Sequence, residues 1–201
     1  MSAIAIIPAR AGSKRIPEKN IRLFHGKPII AYSILAAKAS GLFARIIVST
    51  DSDLIGAIAM DYGASYLRRH SRLADDDTGT QEVTRDALNG CGPGIEHACC
   101  IYPTAPMMTP EDLRTGRKLL DEQPWITWAF VPGWYYWGSV GAFLARTPLG
   151  ESPHYLMMGL TGRYIDINTE EDWIHAKQMY AAWRRRLEGD TDGVPQPRQI
   201  L

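Results

Sequence analysis

The sequence predicts an α/β fold with a mixed, mostly parallel sheet flanked by helices, and three observations predict it. The chain opens on a short, β-branched apolar run, Ile4-Ala5-Ile6-Ile7, closed by Pro8, the pattern of a strand buried on both faces. A helically spaced apolar segment, Pro28 to Ser40, leads to a second apolar run, Ala44 to Ser49. A helical pattern at Asp53 to Tyr62 and a short run at Ser65 to Leu67 continue the alternation, and the order β-loop-α-β-α-β favours parallel strands covered by helices.

Each element has its own punctuation. Pro28 suits a first helical turn and Gly41 a C-cap; Thr50-Asp51 ends the second strand and Gly63 stops the second helix. Arg68 to Thr80 is too polar and irregular for a core element, and Thr78 or Thr80 is positioned to cap the helix that follows. His97 to Tyr102 reads as a core strand ending in Pro103-Thr104-Ala105-Pro106. Thr109-Pro110-Glu111-Asp112 is a helix start, with cap, proline and two acids against the dipole, and that helix runs to about Glu122. Ile126 to Val131 is a strand candidate, Trp134 to Trp137 is dense in aromatics and Val140 to Ala145 is a short helix. Tyr155 to Met158 and Arg163 to Ile165 are weaker strand candidates. Thr169-Glu170-Glu171-Asp172 opens a terminal helix, apolar at Trp173, Ala176, Met179, Tyr180 and Trp183. This gives one domain over residues 1–188 and a flexible tail over 189–201, rich in Pro, Asp and Gly.

Composition narrows the function. The 201 residues carry 22 Lys plus Arg against 22 Asp plus Glu, so no global charge points to nucleic acid. No apolar run approaches a membrane span, and the first residues enter a strand without a leader pattern, so the expectation is a cytoplasmic protein with no membrane partner. Cys91, Cys99 and Cys100 lack metal or redox spacing and read as reduced structural thiols. His25, His70, His97, His154 and His175 show no metal spacing or triad order.

The chemistry concentrates after the first strand. Arg10, Gly12, Ser13, Lys14, Arg15, Lys19 and Asn20 fall within eleven residues of loop. Gly12 permits close backbone approach, Ser13 and nearby N–H groups donate, and Arg10, Lys14 and Lys19 bring charge, a combination suited to a triphosphate. The loop has neither P-loop nor dinucleotide-fold spacing. The competing reading is an ordinary solvated basic loop, against which stands its position at the carboxyl end of a strand, where open α/β sheets bind ligands.

The motif A-R-x-G-S-K-R-x-P-x-K-N at these residues resembles the signature loop of the nonulosonic-acid cytidylyltransferases, the CMP-sialic acid synthetase group, and within it the pseudaminic acid branch. The resemblance runs from Ala3 to about Ala129 and resumes from about Trp134 to Tyr180. It implies a Rossmann-like nucleotide-diphospho-sugar transferase fold and cytidylyl transfer from CTP to an acidic nine-carbon sugar, assisted by Mg²⁺. It implies nucleotide and phosphate contacts at Arg10, Gly12, Ser13, Lys14, Lys19 and Asn20, with Arg10, Lys14 and Lys19 catalytic through charge. Arg69 falls at the arginine of the family's R-P-x-x-L-A, here with His70 for proline; otherwise it is a surface arginine. Ala74 to Thr80 is similar to A-D-D-x-T-G-T, implying base or sugar contacts at Thr78 and Thr80, where three acids would otherwise mark a solvated loop. Tyr102-Pro103-Thr104-Ala105-Pro106 matches Q-P-T-S-P with the pseudaminic-type tyrosine, implying contacts at Pro103 and Thr104; without the resemblance it is a turn.

Asp166-Ile167-Asn168-Thr169 aligns with D-I-D-T, whose alternating aspartates hold the metal from a strand end. The resemblance therefore places Mg²⁺ on Asp166 and Asn168, the latter an amide where the family has a carboxylate, while Asn168 and Thr169 also fit a helix cap. The family carries a further segment before the aromatic motif that helps form the sugar site and the contact of a homodimer. Here Pro132-Gly133 replaces it, and Trp134 stands at the glutamine of G-Q-F-Y-W-G. Two alternatives remain open: a shortened nucleotide-binding homologue with little or no catalysis, and transfer to sialic or legionaminic acid. The Trp134–Trp137 cluster either packs in the core or marks an interface.

Overall fold

The computed structural model describes residues 2–75, 77–90, 92–147, 149, 155–157 and 163–188. In chain order the elements begin with β1 (Ala3–Pro8), a two-residue hairpin of β2 (Leu23–Phe24) and β3 (Lys27–Pro28), α1 (Ile29–Ser40), β4 (Phe43–Thr50), α2 (Asp53–Asp61) and β5 (Ser65–Arg68). A 3₁₀ turn at Ser71–Leu73 precedes α3 (Thr80–Asn89), β6 (His97–Ile101), α4 (Pro110–Glu122), β7 (Trp128–Val131), β8 (Tyr135–Ser139), α5 (Val140–Leu144), β9 (Tyr155–Met157) and α6 (Glu170–Leu187).

Seven strands form one sheet in the order β5-β4-β1-β6-β8-β7-β9. β1 pairs parallel with β4 and β6, β4 with β5, and β7 with β9, whereas β8 runs antiparallel to both β6 and β7. The side-chain alternation of β1 shows the layering: Ala3, Ala5 and Ile7 join a core with α1, α2 and α4, and Ile4 and Ile6 join one with α3 and α5. A third cluster, Ile16, Phe24, Ile29, Ile167, Trp173 and Ala176, packs the post-β1 loop against α6. Phe24 meets Tyr32, Trp173 and Tyr180 edge to face.

Most punctuation falls where the sequence places it. Gly41 closes α1 at φ 69°, and Thr109 and Thr169 each form a complete capping box, with Asp112 and Asp172. Several expectations are corrected. Neither Thr78 nor Thr80 caps α3: Gly79 holds the cap position without a side-chain bond, and Thr80 is the first helical residue. Arg163–Ile165 forms no strand, because Arg163 is drawn into a salt bridge with Asp112 at 2.7 Å and lies over the rings of Trp134 and Trp183.

The aromatic stretch is a strand that apolar periodicity does not announce, since every residue in it is large and buried. Trp134, Tyr135, Tyr136 and Trp137 are at most 3% exposed, so the cluster is core and the interface reading falls. Its polar tips find partners: Tyr135 donates to the Asp112 carbonyl at 2.6 Å and Trp137 Nε1 to that of Leu113 at 3.2 Å. β7 turns into β8 through Pro132-Gly133, with Gly133 at φ 69°. The 189–201 tail, Cys91 and His154 lie outside the described residues. Cys99 and Cys100 are buried and free, as expected.

Candidate active site

The site lies where the strand order reverses. The chain moves from β1 out to β4 and β5, then returns to β6 on the other side of β1, opening a crevice at the carboxyl ends of those strands. The post-β1 loop is fixed rather than draped over it. Ala9 and Ala11 donate backbone N–H bonds to the Ser49 carbonyl at 2.9 Å and Asp51 Oδ1 at 2.8 Å, tying the loop to the end of β4. Asn20, 7% exposed, donates from Nδ2 to the Arg10 carbonyl at 2.9 Å and closes the loop on itself. Ile16 is fully buried and anchors its middle.

An open cleft of about 480 Å³ results, lined by Pro8, Arg10, Ser13, Lys14, Arg15, Lys19, Asn20, Arg69, Thr78, Thr80, Val83, Tyr102, Pro103 and Thr104. The structure thus brings together ten of the residues named from the sequence. Gly12 sits on the same loop but not on the cleft wall, with open space where a Cβ would stand. Arg15, one of the loop residues to which the resemblance gives no role, lines the cleft, as do Pro8, Val83 and Tyr102. Pro8 and Val83 are missed because a strand-end proline and a helical valine carry no chemical signal.

The electrostatics are one-sided. Among the described residues that line it are five cationic side chains and no carboxylate. Arg69 is not a surface arginine: it is 5% exposed and donates from Nη2 to the Ser49 carbonyl at 2.6 Å and from Nε to Ser49 Oγ at 3.3 Å. Burial pulls its guanidinium below the ordinary arginine range, and Asp51 opposes that shift. Lys19 donates from Nζ to the Ile167 carbonyl at 2.6 Å; burial lowers its pKa, while Asp166 acts in the opposite direction. Holding a cation in partly buried surroundings costs desolvation, which an anionic ligand would offset.

Thr78 is held at the rim by an Asx turn in which Asp75 Oδ1 accepts the N–H groups of Asp77 at 3.1 Å and Thr78 at 2.7 Å. Thr80 Oγ1 lies 3.4 Å from the Tyr102 hydroxyl.

The expected metal pair is not part of the cleft wall. Residues 166–168 belong to no strand; Asp166 is exposed and the Asn168 N–H donates to Asp172 Oδ2 at 2.9 Å as part of the α6 start. Among the described residues no three His, Cys, Asp or Glu side chains group to hold a metal. One carboxylate whose charge reaches Lys19 and Tyr102 still fits Mg²⁺, which binds through one or two carboxylates together with substrate phosphates. Among the described residues no helix is long and apolar enough to cross a membrane.

This fold is that of solved nucleotidyltransferases. The structure superposes on the CTP complex of a CMP:2-keto-3-deoxy-manno-octonic acid synthetase with a TM-score of 0.71 at 15% identity, covering 90% of this chain and 99% of that one. Residues 4–129 match the family model described as cytidylyltransferase, and the chain belongs to that family. Over 128 residues it is 42% identical to a pseudaminic acid cytidylyltransferase of Campylobacter jejuni, covering 61% of this chain and 55% of the relative. Over 137 residues it is 39% identical to a CMP-N,N'-diacetyllegionaminic acid synthase of Legionella pneumophila, covering 62% and 59%. The chain therefore spans a little over half the length of these curated relatives.

Proposed function

We propose that the chain is a cytidylyltransferase of cell-surface glycan biosynthesis that joins CTP to a nonulosonic acid, pseudaminic acid in the first instance, releasing the CMP-sugar and pyrophosphate. The observation that carries the reading is the convergence of Arg10, Lys14, Arg15, Lys19 and Arg69 on one cleft at the strand ends, walled on its far side by Thr78, Thr80, Pro103 and Thr104. A triphosphate needs fixed positive charge at the leaving pyrophosphate, and the acceleration comes from positioning and charge neutralisation rather than a protein nucleophile. In this reading Arg10, Lys14 and Lys19 hold phosphate oxygens, Ser13 and the backbone at Gly12 shape the loop around them, and Asn20 keeps that loop closed. Arg69, Thr78, Thr80, Pro103 and Thr104 receive the nucleoside. Asp166, with the Asn168 amide beside it, would hold Mg²⁺ carried in with the phosphates; the ion would supply charge neutralisation at the α-phosphorus. Residues 1–188 act as one domain with 189–201 as a tail, in the cytoplasm alongside the CTP.

A second reading has a specific observation behind it. β7 and β8 are joined by the three-residue link Pro132-Gly133-Trp134, which leaves little chain to build a sugar site at that edge. A protein so pruned would bind CTP without turning it over. Pyrophosphate release from CTP and Mg²⁺, with and without pseudaminic, legionaminic or sialic acid, separates the two. Release dependent on pseudaminic acid supports the transferase; CTP binding without release under all three sugars supports the binding protein; absence of CTP binding overturns both.

A further inference from the structure

One buried hydroxyl behind the cleft lacks a role in that account. Tyr136 is 1% exposed and sits in β8 opposite Cys100 of β6, yet its hydroxyl donates out of the sheet to Thr80 Oγ1 at 3.1 Å. Thr80 is the first residue of α3 and lines the cleft, as does Tyr102, whose hydroxyl lies 3.4 Å from the same Thr80 oxygen. Thr84 closes the set by donating to the Thr80 carbonyl at 2.8 Å. The Tyr136 ring is held by Trp128 edge to face at 6.0 Å, Phe143 stacked at 5.7 Å and Tyr102 at 6.4 Å. Phenylalanine would fill that space equally well, so the hydroxyl is what tyrosine adds there.

We propose that Tyr136 is a positioning residue of the nucleotide cleft, whose hydroxyl fixes the first turn of α3 and the direction in which Thr80 offers its proton. Gly79 caps α3 without a side-chain bond, so Tyr136, Tyr102 and Thr84 meet Thr80 itself, while Gln81 ties the same turn to the Thr147 carbonyl at 3.1 Å. A threonine hydroxyl has one proton and two lone pairs. When Tyr136 donates into one lone pair, the Thr80 proton is left for Tyr102, the weakly accepting Cys100 sulfur or an acceptor in the cleft such as a base carbonyl or a ribose oxygen. Burial pushes the Tyr136 hydroxyl pKa well up, so it remains a donor throughout the working pH range. The strand that periodicity does not reveal therefore reaches from the far half of the sheet to the wall of the nucleotide site.

The proposal rests on CTP as the cleft's ligand, and its test separates the two. Tyr136→Phe is expected to raise the calorimetric Kd for CTP about three- to tenfold, the size of one neutral hydrogen bond. It should also speed amide exchange in the first turn of α3 in the ligand-free protein. Thr80→Val should cost a similar factor, and the double variant should be no worse than either single one, because both remove the same link. Phe143→Leu, which loosens the same ring stack without touching the hydrogen bond, should lower the melting temperature and leave the Kd unchanged. Additive losses, or a Kd and exchange rate unmoved by Tyr136→Phe, would overturn the positioning role. If the wild-type protein bound no CTP, the nucleotide reading would fall and the ligand part of the proposal with it. Amide exchange alone would then decide whether Tyr136 fixes the turn.

Discussion

Replacing Lys19 by Met isolates one charge of the cleft from its aliphatic stem. The Lys19 ammonium does two things: it donates to the Ile167 carbonyl at 2.6 Å, joining the post-β1 loop to the start of α6, and it faces the cleft. A hydrogen bond from a charged group is worth about 1.5–3 kcal/mol. Against it stands the burial that lowers the Lys19 pKa, because methionine would not bear that desolvation. The net loss of stability in Lys19→Met is therefore about 1–2 kcal/mol, a fall of roughly 2–8 °C in melting temperature for a chain of this size. The loss of a charge-assisted phosphate contact should be larger in its effect on ligand, weakening CTP by a factor of about 10 to 100.

The pH dependence has a definite sign. Because folding lowers the Lys19 pKa below 10.5, the unfolded chain holds the proton more tightly, and this group's contribution to stability rises with pH between the folded value and 10.5. Binding behaves oppositely. A triphosphate favours the ammonium, so CTP affinity falls as Lys19 loses its proton, and the fall begins below the range of ordinary lysines. Calorimetry at several alkaline pH values on wild type and Lys19→Met measures both effects. Equal CTP affinity in the two proteins, or an identical onset of the alkaline decline, would refute the placement of this ammonium against phosphate.

Three further outcomes are expected. Lys14 is exposed and on the cleft, so Lys14→Ala should weaken CTP about tenfold while leaving the melting temperature within a degree or so of wild type; calorimetry beside thermal unfolding checks it. Asn168→Asp should tighten Mg²⁺ in the CTP complex if its side chain faces the phosphates, read as the Mg²⁺ concentration at half-maximal pyrophosphate release, whereas no change assigns the position to the α6 start alone. A Cβ on Gly138 would drive into the Trp128 ring, so Gly138→Ala should cost about 1–3 kcal/mol in denaturant unfolding without altering CTP affinity in the folded protein.

The half of the molecule around the cleft was legible because its signals are local. A β-branched run, a basic loop after it, and caps at Gly41, Thr109 and Thr169 each declare themselves within a few residues. Burial was less legible where side chains run against type. The sequence offers Arg69 as a nucleotide contact or a surface charge, and only the fold shows its guanidinium buried beside Ser49, a partner twenty positions away. Thr80 reads as a cap because threonine before a helix usually is one, but here the hydroxyl is claimed from outside the helix by Tyr136 and Tyr102. Alternation failed for β8 because both faces of that strand are covered, so Tyr135 and Trp137 point into one core and Tyr136 into the other with no polar residue between.

That last feature bears on how the two halves of the sheet work together. β8 is antiparallel between β6 and β7, so the link that enters it from β7 lies at the carboxyl ends of the parallel strands, where the Trp134 carbonyl accepts from the Tyr102 N–H at 2.8 Å. Beyond that link it influences the cleft through what its side chains reach. Tyr135 and Trp137 grip the first turn of α4, and Tyr136 grips the first turn of α3. The same α4 start is held from the other side by Arg163, which bonds Asp112 and the Met107 carbonyl and brings the segment leading to Asp166 against the sheet. With only Pro132-Gly133-Trp134 between β7 and β8, the aromatic strand is held close to its neighbours, and these grips need no longer insertion to hold the cleft wall in place. A sugar-binding element, by contrast, must project beyond the strand ends, and the chain at that link is too short to supply one. CTP binding should therefore survive the shortened link intact, and the acceptor step is where a pruned cytidylyltransferase would show its loss.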